Sequence, residues 1–157
     1  MAINWKKRAR PGSAQFKLDA YPFFLMNQAA ARYNEALAAA LSDAGIDQPA
    51  WRVLMILAEC EPASAGDIAE AAVMKRSTLT RVLQRMAADG LIEMRARRSD
   101  ARVTEIRMTR RGRAALQKVR QVAATLFDRA MDGVDSEEIR LLNTTLAKIA
   151  ANLSRRL

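Results

Sequence analysis

The 157-residue chain has no histidine, one cysteine, and only eight aromatic residues: two Trp, two Tyr and four Phe. Without histidine it lacks the commonest metal ligand and the commonest general base. A lone cysteine, Cys60, excludes an internal disulfide. Zinc binding and a serine or cysteine triad are therefore not expected, and we expect no enzyme activity, no metal and no cofactor. Long apolar runs are also missing: the stretch 36–41 is among the longest, against the roughly 20 residues that a membrane helix needs. The first residues lack the apolar core of a signal peptide. A cytoplasmic protein with no membrane partner is the expectation. Half the residues are nonetheless apolar, so the chain can bury the core of one ordinary domain and is not disordered.

What is present is positive charge, gathered in one place. Residues 75–120 hold fourteen Lys/Arg against four Asp/Glu, a net +10, while the other 111 residues hold twelve against thirteen and come to −1. A charge confined to one segment marks a surface for a polyanion more strongly than a basic isoelectric point does. That window contains no aromatic residue, which argues against single-strand binding by base stacking.

The first twenty residues read as a basic arm, Lys6-Lys7-Arg8-Ala9-Arg10-Pro11-Gly12-Ser13, whose proline, glycine and charge predict no early regular structure. A helix is predicted from residue 22 to about 42, with Pro22 in its first turn and Gly45 as its left-handed stop. A second opens at Pro49 with Asp47 or Gln48 as cap, carries Trp51, Leu54, Met55 and Ala58 at helical spacing, and closes at Pro62. A third starts after Ser64, where Ser64 and Asp67 stand at capping-box spacing and Ile68, Ala69, Ala72 and Val73 form the inner stripe. In the fourth, Leu79, Val82, Leu83 and Met86 fall at i, i+3, i+4 and i+7 and pack inward. Its outward face is then Ser77, Arg81, Gln84 and Ala88, flanked by Thr78, Thr80 and Arg85.

Gly90 ends that helix. A strand from Leu91-Ile92 to about Arg97 and an alternating strand from Val103 to Met108 form a hairpin with Arg98-Ser99-Asp100-Ala101-Arg102 at its tip. Thr109 caps a long helix to about Met131, broken at Asp132-Gly133. A last helix, with Asp135 and Glu138 as its capping box, is predicted to run to the C-terminus. Its Ile139, Leu142, Leu146, Ile149 and Leu153 step by three and four, a seam that needs a partner helix.

Two short helices, a helix with a polar outer face and a thin hairpin are the parts of a winged helix-turn-helix. A helix fits the major groove, where base edges are distinguishable, and a hairpin reaches the neighbouring minor groove. Ser77, Thr78 and Thr80 are small enough to let the helix approach closely. Arg81 and Gln84 have the reach and donors to read bases, while Lys75 and Arg76 suit phosphates, and Arg85 on the flank is a further DNA-binding candidate.

Ser77-Thr78-Leu79-Thr80-Arg81, Met86-Ala87-Ala88-Asp89-Gly90-Leu91-Ile92, Asp100-Ala101-Arg102 and Met108-Thr109-Arg110-Arg111-Gly112 resemble the MarR family of bacterial transcription regulators over about residues 20–157. The Asp-x-Arg followed by an apolar-Thr-x-x-Gly is the family's wing signature. The resemblance implies a mainly α fold with a small two- or three-stranded antiparallel β wing, a winged helix-turn-helix flanked by N- and C-terminal dimerisation helices. On that plan 1–20 is the basic arm, 21–45 and 113–157 the dimerisation region, and 46–112 the DNA-binding domain. It implies that Arg102 enters the minor groove and Asp100 orients it. The family often has a second arginine after the aspartate; here it is Ala101, which shifts supporting work onto Arg97 or Arg98. It further implies a homodimer on double-stranded DNA, a repressor on a palindromic operator, released by a small effector such as an aromatic acid. Gln28, Arg32, Trp51 and Arg52 are the candidate effector residues, although an aromatic there is more often core and an arginine more often a salt bridge.

Two other readings stand beside this one. A non-specific architectural DNA-binding protein would use the same charge. A redox-sensing regulator would use Cys60, but Glu59 and Glu61 beside it disfavour a reactive thiolate, and family sensors place the thiol near the start of the first long helix. Arg95, Arg97 and Arg98 also fit a charged strand edge that resists aggregation. Arg107, Arg110, Arg111 and Arg113 fit surface and phosphate neighbours better than base readers, and Lys6 to Arg10 fit a solvated tail.

Overall fold

The computed structural model describes residues 3–154. The elements in chain order are α1 (Trp5–Ala9), a 3-10 turn (Leu18–Ala20), α2 (Pro22–Ser42), α3 (Gln48–Glu59), β1 (Ala63–Ser64), α4 (Ala65–Ala71), α5 (Arg76–Ala88), β2 (Ile92–Arg97), β3 (Asp100–Met108), α6 (Arg110–Ala130) and α7 (Ser136–Ser154). They fall into two compact units, Met1–Ala123 and Ala124–Leu157. The fold is mainly α with a three-stranded antiparallel sheet of order β1-β3-β2.

Local side-chain chemistry sets most helix starts. Asp47 accepts a hydrogen bond from the Ala50 amide at 2.9 Å and so caps α3. At α4 the box is reciprocal: the Asp67 amide donates to Ser64 Oγ and the Ser64 amide donates to Asp67 Oδ2, both at 3.1 Å. Hydrogen bonding of the Asp67 carboxyl with Ser64, through the serine side chain foremost and its backbone amide next, holds that carboxyl below the ordinary carboxylate range. Asp135 receives the Glu137 and Glu138 amides at 2.8 Å while its own amide donates to Glu138, which opens α7.

The core of the first unit is built around Val53, Leu54 and Leu57 of α3, Ile68 of α4, Leu79, Leu83 and Met86 of α5, Ile106 of β3 and Val119 of α6, all closed to solvent. Each buried Leu or Ile contributes about 1.5–3 kcal/mol relative to exposure. The whole predicted inner stripe of α5, Leu79, Val82, Leu83 and Met86, is buried, which fixes the rotation of that helix and hence which residues face out. In α3 the buried stripe is Ala50, Val53, Leu54 and Leu57 with Trp51, and Met55 and Ala58 lie at its margin. An almost wholly apolar helix leaves the choice of stripe to its neighbours.

Several expectations need correction. The basic arm contains regular structure after all: Asn4 Oδ1 accepts the Lys7 amide and starts α1, and Arg8 lies over the Trp5 ring at 5.5 Å. Val73 is not on the inner stripe but 92% exposed, because α4 ends at Ala71 and Val73 turns the chain with φ +52°. The strand of Ala63 and Ser64, paired with Ile106 and Glu105, was not anticipated. The hairpin turn is Arg98-Ser99 alone, since β3 already begins at Asp100. The final helix is described to Ser154, and residues 155–157 lie outside the described residues.

A β-branched residue at positive φ costs of order 1–3 kcal/mol, and glycine would forfeit about 0.5–1 kcal/mol in unfolded-chain entropy. Val73→Gly is therefore expected to stabilise by about 1 kcal/mol, a rise in melting temperature of roughly 2–4 °C. A melting temperature at or below the parent's would refute the strain.

Candidate nucleic-acid interface

The outward face of α5 is polar and open. Ser77, Thr78, Thr80, Arg81, Gln84 and Arg85 are all exposed, as are Lys75 and Arg76 before and at its first turn. Two of these side chains already have partners. The Thr80 hydroxyl donates to the Arg76 carbonyl at 2.9 Å, so its methyl and the acceptor side of its oxygen remain uncommitted. Arg85 forms an ion pair with Asp47, the cap of α3. That pair ties the last turn of α5 to α3 and sets Arg85 apart from Arg81 and Gln84.

The wing is β2 and β3 in register from Ile92↔Met108 to Ala96↔Thr104, after which the pairing jumps to Arg97↔Asp100. Ala101, Arg102 and Val103 thus stand opposite no residue of β2, a bulge that bends the strand and re-aims its side chains. Within it Asp100 Oδ1 accepts both the backbone amide of Arg102, at 3.0 Å, and its Nε, at 3.1 Å. The arginine is oriented from its own turn yet 91% exposed.

Alternation places Glu93, Arg95 and Arg97 on one face of the hairpin with Glu105 and Arg107. Arg97 donates to Glu105 on β3 at 2.8 Å and Arg95 to Glu93 on its own strand at 2.7 Å, so these arginines are partly neutralised within the hairpin. With Arg98, Arg107 and Pro62 they line a polar cleft of about 920 Å³. Arg98, in the turn, is exposed. Of the two residues named to take over from the missing second wing arginine, Arg98 is therefore the better placed.

At the wing's base Thr109 is a knot. Its hydroxyl donates to the Gly90 carbonyl at 2.7 Å and accepts the Gly112 amide at 3.0 Å, and its amide donates to the Leu91 carbonyl at 3.0 Å. Gly112 sits so close that a Cβ there would lie 2.1 Å from the Leu91 carbonyl oxygen. The predicted cap was legible, whereas Glu61, bonded to Met108 and Arg113, was missed. Residues 47 and 52 positions apart leave no local signal.

The remaining candidates are more scattered. Trp51 is core, while Gln28, Arg32 and Arg52 are exposed. α2 meets α3 where Gln48 Nε2 donates to the Asn34 carbonyl at 2.8 Å. Among the described residues the seam of α7 has no buried member: Leu142, Leu146 and Leu153 are exposed and Ile139 and Ile149 half-buried. Cys60, at the end of α3, is exposed and donates from Sγ to the Ile56 carbonyl at 3.2 Å. No helix among the described residues is long and apolar enough to cross a membrane.

Comparison with known proteins agrees with this geometry. The MarR family matches residues 46–104, the stretch from the start of α3 into the wing. The HTH-type transcriptional repressor IacR of Pseudomonas putida is 32% identical over 143 residues, which covers 91% of this chain and 86% of that protein. A MarR family transcriptional regulator from Silicibacter pomeroyi is 28% identical, with a TM-score of 0.80 over 89% of this chain and 94% of the other. BpsR of Bordetella bronchiseptica, whose DNA binding is regulated by 6-hydroxynicotinic acid, has the same fold at 21% identity, with a TM-score of 0.72 over 80% of this chain and 96% of that one. The exposed polar face of α5, the arginine-bearing wing and these relatives lead to one assignment: the chain belongs to the MarR family of DNA-binding transcription regulators.

Proposed function

We propose that the protein is a cytoplasmic repressor that binds a palindromic operator as a homodimer and is released from it by a small effector, an aromatic acid being the candidate class. The observation that carries the DNA reading is the pairing of an exposed, donor-rich face on α5 with an exposed Arg102 already oriented by Asp100. In this reading Arg81 and Gln84 contact base edges in the major groove, helped at close range by Ser77, Thr78 and Thr80. Lys75, Arg76 and Arg98 hold phosphates, and Arg102 enters the minor groove. Arg85 and Arg97 contribute less, since their side chains are 52% and 38% exposed against 91% for Arg102.

The dimer reading takes support from α7, whose Ile139, Leu142, Leu146, Ile149 and Leu153 seam has no buried member among the described residues. On this plan residues 46–112 bind DNA while 21–45 and 113–157 dimerise, and two recognition helices one helical turn apart multiply the specificity of one. The repressor reading takes support from the relative in Pseudomonas putida, itself a repressor. The effector reading follows from the family resemblance, with Gln28, Arg32, Trp51 and Arg52 as its candidate residues. An effector of this kind acts only through its differential affinity for the DNA-competent and incompetent states.

The test is a gel shift at fixed salt with an operator selected from a random duplex pool and a scrambled duplex of equal length. Preference for the selected site is expected, and equal affinity for both would defeat sequence-specific recognition. Arg81→Ala or Gln84→Ala should relax base preference, whereas Arg111→Ala should mainly lower the salt slope, by about 1.

A further inference from the structure

Glu61 stands between α3 and β1, outside the recognition surface, yet its carboxylate joins three parts of the fold. Oε1 accepts the backbone amide of Met108, the last residue of β3, at 2.8 Å, and Nη2 of Arg113 at 3.1 Å. Oε2 accepts Nη1 of Arg113 at 2.7 Å. The guanidinium also donates to the Met108 carbonyl at 3.5 Å. The Glu61 side chain is only 15% exposed, and a forked, charge-assisted pair of this kind fixes direction as well as distance.

The placement bears on the wing. Met108 ends the strand whose other end carries Asp100 and Arg102, about 20 Å away for an extended strand. A tilt of roughly 5° at the base would carry Arg102 by ~1.7 Å, beyond the few tenths of an ångström a hydrogen bond tolerates. Thr109 fixes the same base to the end of α5 through Gly90 and Leu91. Glu61 adds an anchor from a different element, the link after α3, and through Arg113 a hold on the first turn of α6. By charge alone a carboxylate on a protein that faces a polyanion would weaken the binding.

We infer that Glu61, held by Arg113, is a positioning residue for DNA recognition: it sets the angle of the wing and thereby the reach of Arg102. The inference rests on the proposed minor-groove role of Arg102. Glu61→Gln preserves shape and a carbonyl acceptor but releases the fork. By charge alone it should tighten binding to every duplex; a positioning role predicts the opposite sign at the operator only.

Dissociation constants for the selected operator and the scrambled duplex, at one salt concentration, test this in the full-length protein. Glu61→Gln is expected to weaken operator binding by roughly 2- to 30-fold, with scrambled DNA bound as before or slightly tighter. Arg113→Lys keeps the charge but loses the fork, should shift operator affinity the same way, and decides the matter if Glu61→Gln does not fold. On an Arg102→Ala background Glu61→Gln should cost nothing further, since both act on one contact. Operator binding unchanged or tightened in both single variants overturns the inference. So does a full multiplicative loss in the double variant beside a costly Arg102→Ala, which leaves the minor-groove role standing. A silent Arg102→Ala removes that role and the positioning role with it.

Discussion

Arg102→Ala is expected to lower affinity for the selected operator by 1–3 kcal/mol, about 5- to 150-fold, without altering the oligomeric state. The size of the effect follows from preparation. Asp100 engages both the amide and Nε of Arg102, so little rotational freedom is lost when the exposed guanidinium meets its target, and most of the interaction survives as affinity. Titration of the two proteins against the operator duplex, with sedimentation to verify assembly, measures it. Asp100→Ala should weaken binding less, because the arginine remains and only its orientation is lost. Equal affinity of Arg102→Ala and parent would remove the wing from recognition.

Gly112→Ala should produce the largest loss of stability. Alanine in a helix ordinarily gains about 0.5–1 kcal/mol over glycine, so propensity predicts a stabilised protein. Packing predicts the reverse. The added Cβ would meet the Leu91 carbonyl oxygen at 2.1 Å, a backbone atom that already receives the Thr109 amide. No flexible side chain can give way, so the first turn of α6 must leave the start of β2. We expect a loss of about 3 kcal/mol and a melting temperature lower by roughly 6–12 °C. Gly66→Ala is the control: its Cβ would meet only Ser64 Oγ, at an ordinary 3.5 Å, and it should melt at or above the parent. If Gly112→Ala does the same, the close approach is wrong.

Features that depend on neighbours in sequence were legible from the residues alone. The inner and outer faces of α5 follow from apolar spacing, the starts of α4 and α7 from Ser64 with Asp67 and Asp135 with Glu138, and the cap of α6 from Thr109. Misreadings arose where tertiary context decides. The apolar period of α4 runs on through Val73, but the chain turns before it. β1 is two residues long, too short to show alternation. The tip appeared longer than the Arg98-Ser99 turn because a bulge within a strand looks like loop in sequence. In the candidate site, the exposure of Arg81 and Gln84 could be read from spacing and the pairing of Asp100 with Arg102 from the family signature. The engagement of Arg85 by Asp47, 38 residues away, and of Arg113 by Glu61, 52 residues away, could not, because any exposed carboxylate is an equal partner until the fold chooses one.

The bulge at Ala101 to Val103 also bears on how this chain can change. In a regular ladder one inserted residue flips every later side chain to the opposite face, and here that would turn Ile106 and Met108 out of the core. Because three residues of β3 already stand outside the ladder, a residue gained or lost between Arg102 and Thr104 can be absorbed there. Ile92↔Met108 through Ala96↔Thr104 would stay paired. The hydrophobic interior can thus be inherited unchanged through a change of length at the wing, even where that change alters how Arg102 is presented to DNA.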